Sequence, residues 1–106
     1  MPEDLRQSPR KFLKTRAIFV VEAGAPLMAH TTDISASGVA LVVAQPAPVG
    51  QVAQLRFDLL VEGKSTPILA KTQVQYCIFS NGEFKVGLKF VGLDLVAVKA
   101  LARYLK

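Results

Sequence analysis

The alternation of apolar and polar residues predicts a chain built mainly of short β-strands. Between residues 51 and 61, Leu55, Phe57, Leu59 and Val61 lie on one face of such a strand, and polar residues lie between them. The same alternation recurs over residues 68–79 and 84–90. In the first of these two segments, the residues expected to point inward are Ile68, Ala70, Val74, Tyr76 and Ile78.

Three further strands are predicted from β-branched and aromatic residues, over residues 16–22, 27–32 and 38–44. Turn-forming residues separate the strands, and Asn81–Gly82 is a strong hairpin signal. Six short strands with regular turns favour a closed six-stranded antiparallel β-barrel over residues 16–90, because closure removes exposed sheet edges.

Both ends of the chain depart from the strand pattern. After residue 90 the apolar spacing becomes helical, with Asp94 as a candidate N-cap, which predicts a C-terminal helix over residues 94–106. The apolar residues at helical spacing are Leu95, Val98, Leu101, Ala102 and Leu105. Residues 1–15 are polar, charged and interrupted by two prolines, which predicts a mobile or loosely docked arm. The whole, residues 1–106, is predicted to be one domain.

Composition narrows the class of protein. Apolar residues make up 51% of the 106 residues, which excludes disorder of the whole chain. No apolar run approaches the ~18 residues of a membrane-spanning helix, and no apolar leader is visible at the N-terminus. The one cysteine, Cys77, has no internal partner for a disulfide. We therefore expect a cytoplasmic protein without a membrane span.

Positive charge is concentrated at the N-terminus. The chain has a formal net charge of +5, and its first 16 residues contain five cations against two carboxylates. An anionic partner met by the N-terminal segment is therefore expected.

Residues for catalysis or metal binding are sparse. His30 is the only histidine and Cys77 the only cysteine, so neither a metal-ligand cluster nor a nucleophile with its base can be assembled. The sequence thus predicts no enzymatic activity, no metal and no cofactor.

Two polar constellations remain. Arg6 and Arg10 form an R-x-x-x-R motif, and each guanidinium can grip a phosphate or the O6 and N7 atoms of a guanine. Asp33, Ser35 and Gly38 form a D-x-S-x-x-G motif. In this motif the carboxylate can accept hydrogen bonds from both N–H groups of a guanine edge, and the hydroxyl adds another hydrogen bond. The glycine permits positive φ or close approach of a ligand. Taken separately, the first motif is also consistent with a solvated basic arm, and the second with a simple turn.

The ordered pair of motifs resembles the signature of the PilZ domain family, six-stranded antiparallel barrels with a C-terminal helix, many of which bind cyclic di-GMP. "RQSPR" precedes the first strand, "DISASG" lies between the second and third, and "VGLKF" is similar to the family's final strand. The resemblance implies a receptor in which Arg6 and Arg10 clamp guanine and phosphate, Asp33 and Ser35 hold a guanine, and Gly38 admits the ligand. It also implies a basic arm that closes over cyclic di-GMP and relays the signal to a downstream protein partner.

Two alternatives stay open at this point. Some members of the family lack a functional ligand motif and act as protein–protein adaptors, so weak or absent nucleotide binding is a second hypothesis. A general nucleic-acid binder is a third, but the predicted strands show no paired exposed aromatic residues for base stacking, which argues against it. For the receptor, Leu5 stands where family variants have a further arginine, and one cyclic di-GMP per chain is therefore expected.

Overall fold

The computed structural model describes residues 10–21 and 24–106. The described part of the chain forms seven strands followed by one helix. They are β1 (Lys11–Phe12), β2 (Arg16–Val21), β3 (Leu27–Ile34), β4 (Gly38–Val43), β5 (Val52–Val61), β6 (Lys64–Ser80), β7 (Glu83–Leu93) and α1 (Leu95–Tyr104).

Strands β2 to β7 close into the predicted six-stranded antiparallel barrel. The hydrogen-bonded order is β1-β3-β2-β5-β6-β7-β4, and the pairing of β3 with β4 completes the ring. The two-residue strand β1 continues along the edge of β3 beyond the end of β2. The predicted fold class, an antiparallel barrel with a C-terminal helix, is confirmed.

The barrel interior is filled by the inward residues of the alternating strands. In β5 every second side chain is buried, as the sequence pattern predicted. The largest fully buried apolar side chains are Phe19, Ile34, Leu41, Leu55, Leu59, Val39, Val74 and Val86.

Two tight hairpins connect the longest strands. Both residues of each connection have positive φ, at Glu62–Gly63 and at Asn81–Gly82, the conformation that two-residue hairpins with the right-handed strand twist require. The sequence predicted the second hairpin correctly. At the first it predicted a longer turn, whereas the strand resumes at Lys64.

A β-bulge in β6 overturns part of the predicted inward face. The register with β7 shifts between Val74 and Tyr76, so that Gln75 is an extra residue. The phase of the alternation therefore changes, and Tyr76 and Ile78 are exposed, although the sequence placed both inward.

Helix α1 begins as predicted, and its buried face matches the predicted one only in part, at Leu101 and the partly buried Leu105. The Asp94 carboxylate accepts a hydrogen bond from the backbone N–H of Ala97 at 2.8 Å, which caps the helix. The buried residues of α1 are Ala97, Ala100 and Leu101. Of the residues predicted at the helical spacing, Leu95, Val98 and Ala102 are exposed. No helix in residues 10–21 and 24–106 is both long and apolar enough to cross a membrane.

Residues 10–15, the described part of the predicted mobile or loosely docked arm, lie against the barrel. The Thr31 hydroxyl donates to the Leu13 carbonyl at 2.6 Å and accepts from the Thr15 N–H at 3.0 Å. The Leu13 side chain is buried in the core. Residues 1–9, on which the rest of the arm prediction falls, lie outside the described residues.

Candidate functional site

Arg10 and Asp33 form an ion pair that joins the two sequence motifs. The Arg10 Nε donates to Asp33 Oδ1 at 2.7 Å, and Arg10 Nη2 lies 2.6 Å from the same oxygen. The side chains are 48% and 30% exposed, so both groups can be reached by a ligand. Residues 23 positions apart in the sequence are thus brought to one place on the barrel surface.

The backbone around Asp33 belongs to a strand and not to a turn. Strand β3 extends to Ile34, two residues further than the sequence predicted. Asp33 pairs with Phe12 of β1 on one side and with Ala40 of β4 on the other. Because strand pairing holds this backbone, the carboxylate is available for Arg10 or for a ligand.

Ser35 builds the turn between β3 and β4. Its side chain is fully buried, and its Oγ accepts from the N–H groups of Ser37 at 3.2 Å and Gly38 at 3.3 Å. The Ser35 N–H donates to the Gly38 carbonyl at 2.8 Å. These bonds have the pattern by which serine stabilises a turn, and the predicted contact of Ser35 with a guanine stays a prediction.

Gly38 allows two strands to approach each other closely. A Cβ at position 38 would overlap the carbonyl oxygen of Leu88 on β7 and lie 3.1 Å from its carbonyl carbon. The φ angle of Gly38 lies outside the positive region. The packing of β4 on β7 therefore accounts for glycine here, and the predicted approach of a ligand to this position stays a prediction.

A shallow cleft of ≈ 300 Å³ opens beside Arg10. One side is formed by Ser37 and Gly38 of the second motif, and the other by side chains of the β6–β7 hairpin. The hairpin residues include Gln75, Tyr76 and Lys89. Arg10 and Lys89 make the described lining basic, which suits an anionic ligand.

Tyr76 presents an aromatic ring to this cleft. The ring lies over Gly87, its cross-strand partner, so closely that a Cβ at position 87 would be 2.6 Å from Tyr76 Cδ2. The side chain is 38% exposed. One face of the ring is thus supported by backbone while part of it stays open to a planar ligand.

Three residues that line the cleft, Gln75, Tyr76 and Lys89, were not among the site residues predicted from the sequence. The bulge at Gln75 turns Tyr76 outward, and the glycine in "VGLKF" provides the space for its ring. That glycine, opposite an aromatic residue in an apolar strand, was the available signal. Arg6 lies outside the described residues, so the structure does not place it relative to the cleft. Across residues 10–21 and 24–106, no three His, Cys, Asp or Glu side chains cluster as metal ligands.

Solved structures with the same fold include ligand complexes. The Bacillus subtilis inhibitor of motility MotI/DgrA is 21% identical with a TM-score of 0.81, covering 94% of this chain and 49% of that chain. The PilZ domain of Escherichia coli YcgR with c-di-GMP is 13% identical with a TM-score of 0.71, covering 94% of this chain and 88% of that chain. The K. pneumonia MrkH–c-di-GMP complex is 19% identical with a TM-score of 0.67, covering 92% of this chain and 49% of that chain.

The chain thus spans about half the length of MotI/DgrA and of MrkH. Among curated proteins, no sequence matches it significantly. The PilZ domain family matches residues 4–106, nearly the whole length, and this chain therefore belongs to the PilZ domain family.

Proposed function

We propose that this protein is a receptor that binds cyclic di-GMP in the cleft beside Arg10 and Asp33. The observation that carries the proposal is the Arg10–Asp33 ion pair, which joins the R-x-x-x-R and D-x-S-x-x-G motifs at the edge of a basic cleft. Many members of the PilZ family bind cyclic di-GMP, and the family is one of receptors and not of enzymes. The c-di-GMP complexes of YcgR and MrkH, which share the fold, support the same ligand.

A ligand can replace the contact between Arg10 and Asp33 at low cost. Because both side chains are partly exposed, the pair contributes only about 0–1 kcal/mol, and a ligand can separate it at low cost. The Asp33 carboxylate then accepts the two N–H groups of a guanine edge. The Arg10 guanidinium, released from Asp33, binds a phosphate or the O6 and N7 atoms of guanine. Each partner thus exchanges one charge-assisted contact for another.

The other motif residues act around this exchange. Arg6 supplies a second guanidinium for the doubly charged ligand. Ser35 stabilises the turn, and its hydroxyl can contact a guanine if that turn opens. Gly38 has no side chain that would block a ligand at the edge of the cleft. The Tyr76 ring offers a face on which a guanine can stack, and Lys89 adds a cation on the far side.

The position of the R-x-x-x-R motif suggests how ligand binding is passed on to a partner protein. The R-x-x-x-R motif begins before Arg10, and the chain is anchored to β3 from Lys11 onward. Closure of the residues that precede Arg10 over a bound ligand changes the surface presented to a downstream protein partner. The cytoplasm, where we expect the protein, is where such a ligand would be met.

Calorimetry with cyclic di-GMP tests the proposal. The unmodified protein is expected to bind, and Arg10→Ala to bind about tenfold or more weakly, because a charge-assisted bond contributes about 1.5–3 kcal/mol. Arg56→Ala is the matched control, since Arg56 is exposed on the outer face of β5, away from the cleft. Equal affinities for the two variants would refute the assignment of Arg10.

A further inference from the structure

A furrow runs between α1 and the β5–β6 hairpin, and it shares no lining residue with the cleft beside Arg10. It consists of two adjoining clefts, of ≈ 470 Å³ and ≈ 480 Å³, that share Val61, Glu62 and Arg103. The first extends to Lys11 and Phe12 of β1, and the second extends along α1 to Val96 and Lys99. This furrow has no role in the ligand exchange described above.

The furrow is strongly basic. The charged residues among its described lining are Lys11, Lys64, Lys99 and Arg103 against the single carboxylate of Glu62. The Glu62 carboxylate lies 3.4 Å from Arg103, and both side chains are mostly exposed. Such an exposed pair is weak, so a competing carboxylate can take its place.

The furrow also has exposed apolar walls. Phe12 is 78% exposed, Leu60 is 64% exposed and Val96 is 62% exposed. Large apolar side chains next to cations form a surface that suits an amphipathic partner and not a small anion.

We propose that the furrow is the docking site for an acidic, amphipathic segment of a partner protein. Acidic side chains of that segment would pair with Lys64, Lys99 and Arg103, and its apolar side chains would contact Leu60 and Val96. A second copy of this chain is disfavoured as the occupant, because its furrow carries the same positive charge. A nucleic acid is disfavoured because the apolar lining is mainly aliphatic.

The furrow is connected to the segment that carries Arg10. Lys11 Nζ donates to the Tyr104 carbonyl at the end of α1 at 2.9 Å, and the Tyr104 hydroxyl donates to the Phe12 carbonyl at 3.1 Å. Lys11, which lines the furrow, follows Arg10 directly in the chain. A ligand that moves Arg10 can therefore shift the part of the furrow formed by Lys11. This link deepens the proposed relay and rests on it, whereas the docking of an acidic segment does not require cyclic di-GMP.

Fluorescence anisotropy without cyclic di-GMP tests the docking site. The probe is a labelled amphipathic helical peptide of leucine, alanine and glutamate, and the test variant is Lys99→Glu/Arg103→Glu. Its affinity is expected to fall by about tenfold or more, because two attractive contacts become repulsive. The matched control is Arg56→Glu/Lys85→Glu, which changes the net charge equally at two exposed residues outside both clefts and should retain affinity within about twofold.

A second variant, Val96→Ser, tests the apolar contact without changing the net charge. Its affinity for the peptide should also be lower than that of the unmodified protein. Equal losses in the test and control double variants would overturn the proposal, since they would reflect net charge alone. Binding to anionic phosphatidylglycerol vesicles or to single-stranded RNA, without binding to the peptide, would overturn it as well. Failure of the protein to bind cyclic di-GMP would leave this result unaffected and would count against the proposed function only.

Discussion

Replacing Asp33 with alanine distinguishes a ligand-binding carboxylate from one that only stabilises a turn. In the structure the Asp33 backbone is held by β1 and β4, and its carboxylate contacts Arg10 on the surface. The turn itself is held by the buried hydroxyl of Ser35. We therefore expect Asp33→Ala to change ligand affinity much more than stability, and Ser35→Ala to lower stability clearly.

The magnitudes follow from exposure. The exposed ion pair contributes about 0–1 kcal/mol to the free energy of unfolding, and about 1 kcal/mol corresponds to roughly 4–8 °C in Tm for a domain near this size. Ser35→Ala leaves two N–H groups without their acceptor, at a cost of about 1–3 kcal/mol. For binding, Asp33→Ala removes charge-assisted bonds of about 1.5–3 kcal/mol, partly offset because Arg10 no longer has to leave its partner. An affinity loss of about tenfold or more is expected.

Thermal melts and calorimetry on the same preparations provide the assay. Asp33→Asn is the conservative comparison, since it keeps one acceptor and a strand-compatible shape, and its affinity should fall only modestly. A Tm loss for Asp33→Ala as large as that for Ser35→Ala, together with unchanged cyclic di-GMP affinity, would refute the ligand role. It would assign the carboxylate to local structure.

Four further predictions concern Gly38, Tyr76, residues 1–9 and the stoichiometry of binding. Gly38→Ala should lower stability by about 1–3 kcal/mol in a denaturant melt even without ligand, because its Cβ would meet the Leu88 backbone; an unchanged midpoint would contradict the close packing. Tyr76→Ala should weaken cyclic di-GMP binding, while Tyr76→Phe, which keeps the ring, should not; equal losses would exclude stacking. In hydrogen exchange, amides of residues 1–9 should gain protection when cyclic di-GMP is added, and equal protection in both states would refute closure. Calorimetry should give one cyclic di-GMP per chain, and Leu5→Arg should raise this ratio toward two. A ratio near two for the unmodified protein would contradict this expectation and would indicate that Lys11, Lys14 or Arg16 supplies the positive charge that Leu5 lacks.

The barrel could be predicted because its signals are local. The alternation in β5, the Asn81–Gly82 hairpin and the Asp94 cap each depend on a few neighbouring residues, and all three appear in the structure. The resemblance to the PilZ family, carried by motifs spread over the chain, is confirmed by the family match.

The predictions that failed depended on partners distant in the sequence. The bulge at Gln75 reversed the orientation of Tyr76, and the sequence of β6 alone does not reveal a bulge set by its pairing with Gly87. In α1 the buried face is formed mainly by alanines, because small side chains let the helix approach the barrel, while Leu95 and Val98 remain outside. A ranking by hydrophobicity selects Leu95 and Val98 and overlooks the buried Ala97 and Ala100, although it includes the buried Leu101.

The sequence named candidate residues for the site, and their binding of a ligand stays a prediction. Arg10 and Asp33 could be named from the motifs, but the ion pair between them depends on β1 lying against β3. The turn role of Ser35 and the strand-packing role of Gly38 likewise depend on contacts that spacing does not specify.

An NMR titration of the isotope-labelled protein with cyclic di-GMP tests the central claim most directly. If the ligand enters the cleft beside the Arg10–Asp33 pair, the largest amide shifts will fall on residues 33–38 and on Gln75, Tyr76 and Gly87. The chemical shifts of amides on the outer face of β5, around Arg56, should not change. Saturating shifts confined to another surface, or no shifts at all, would contradict the account.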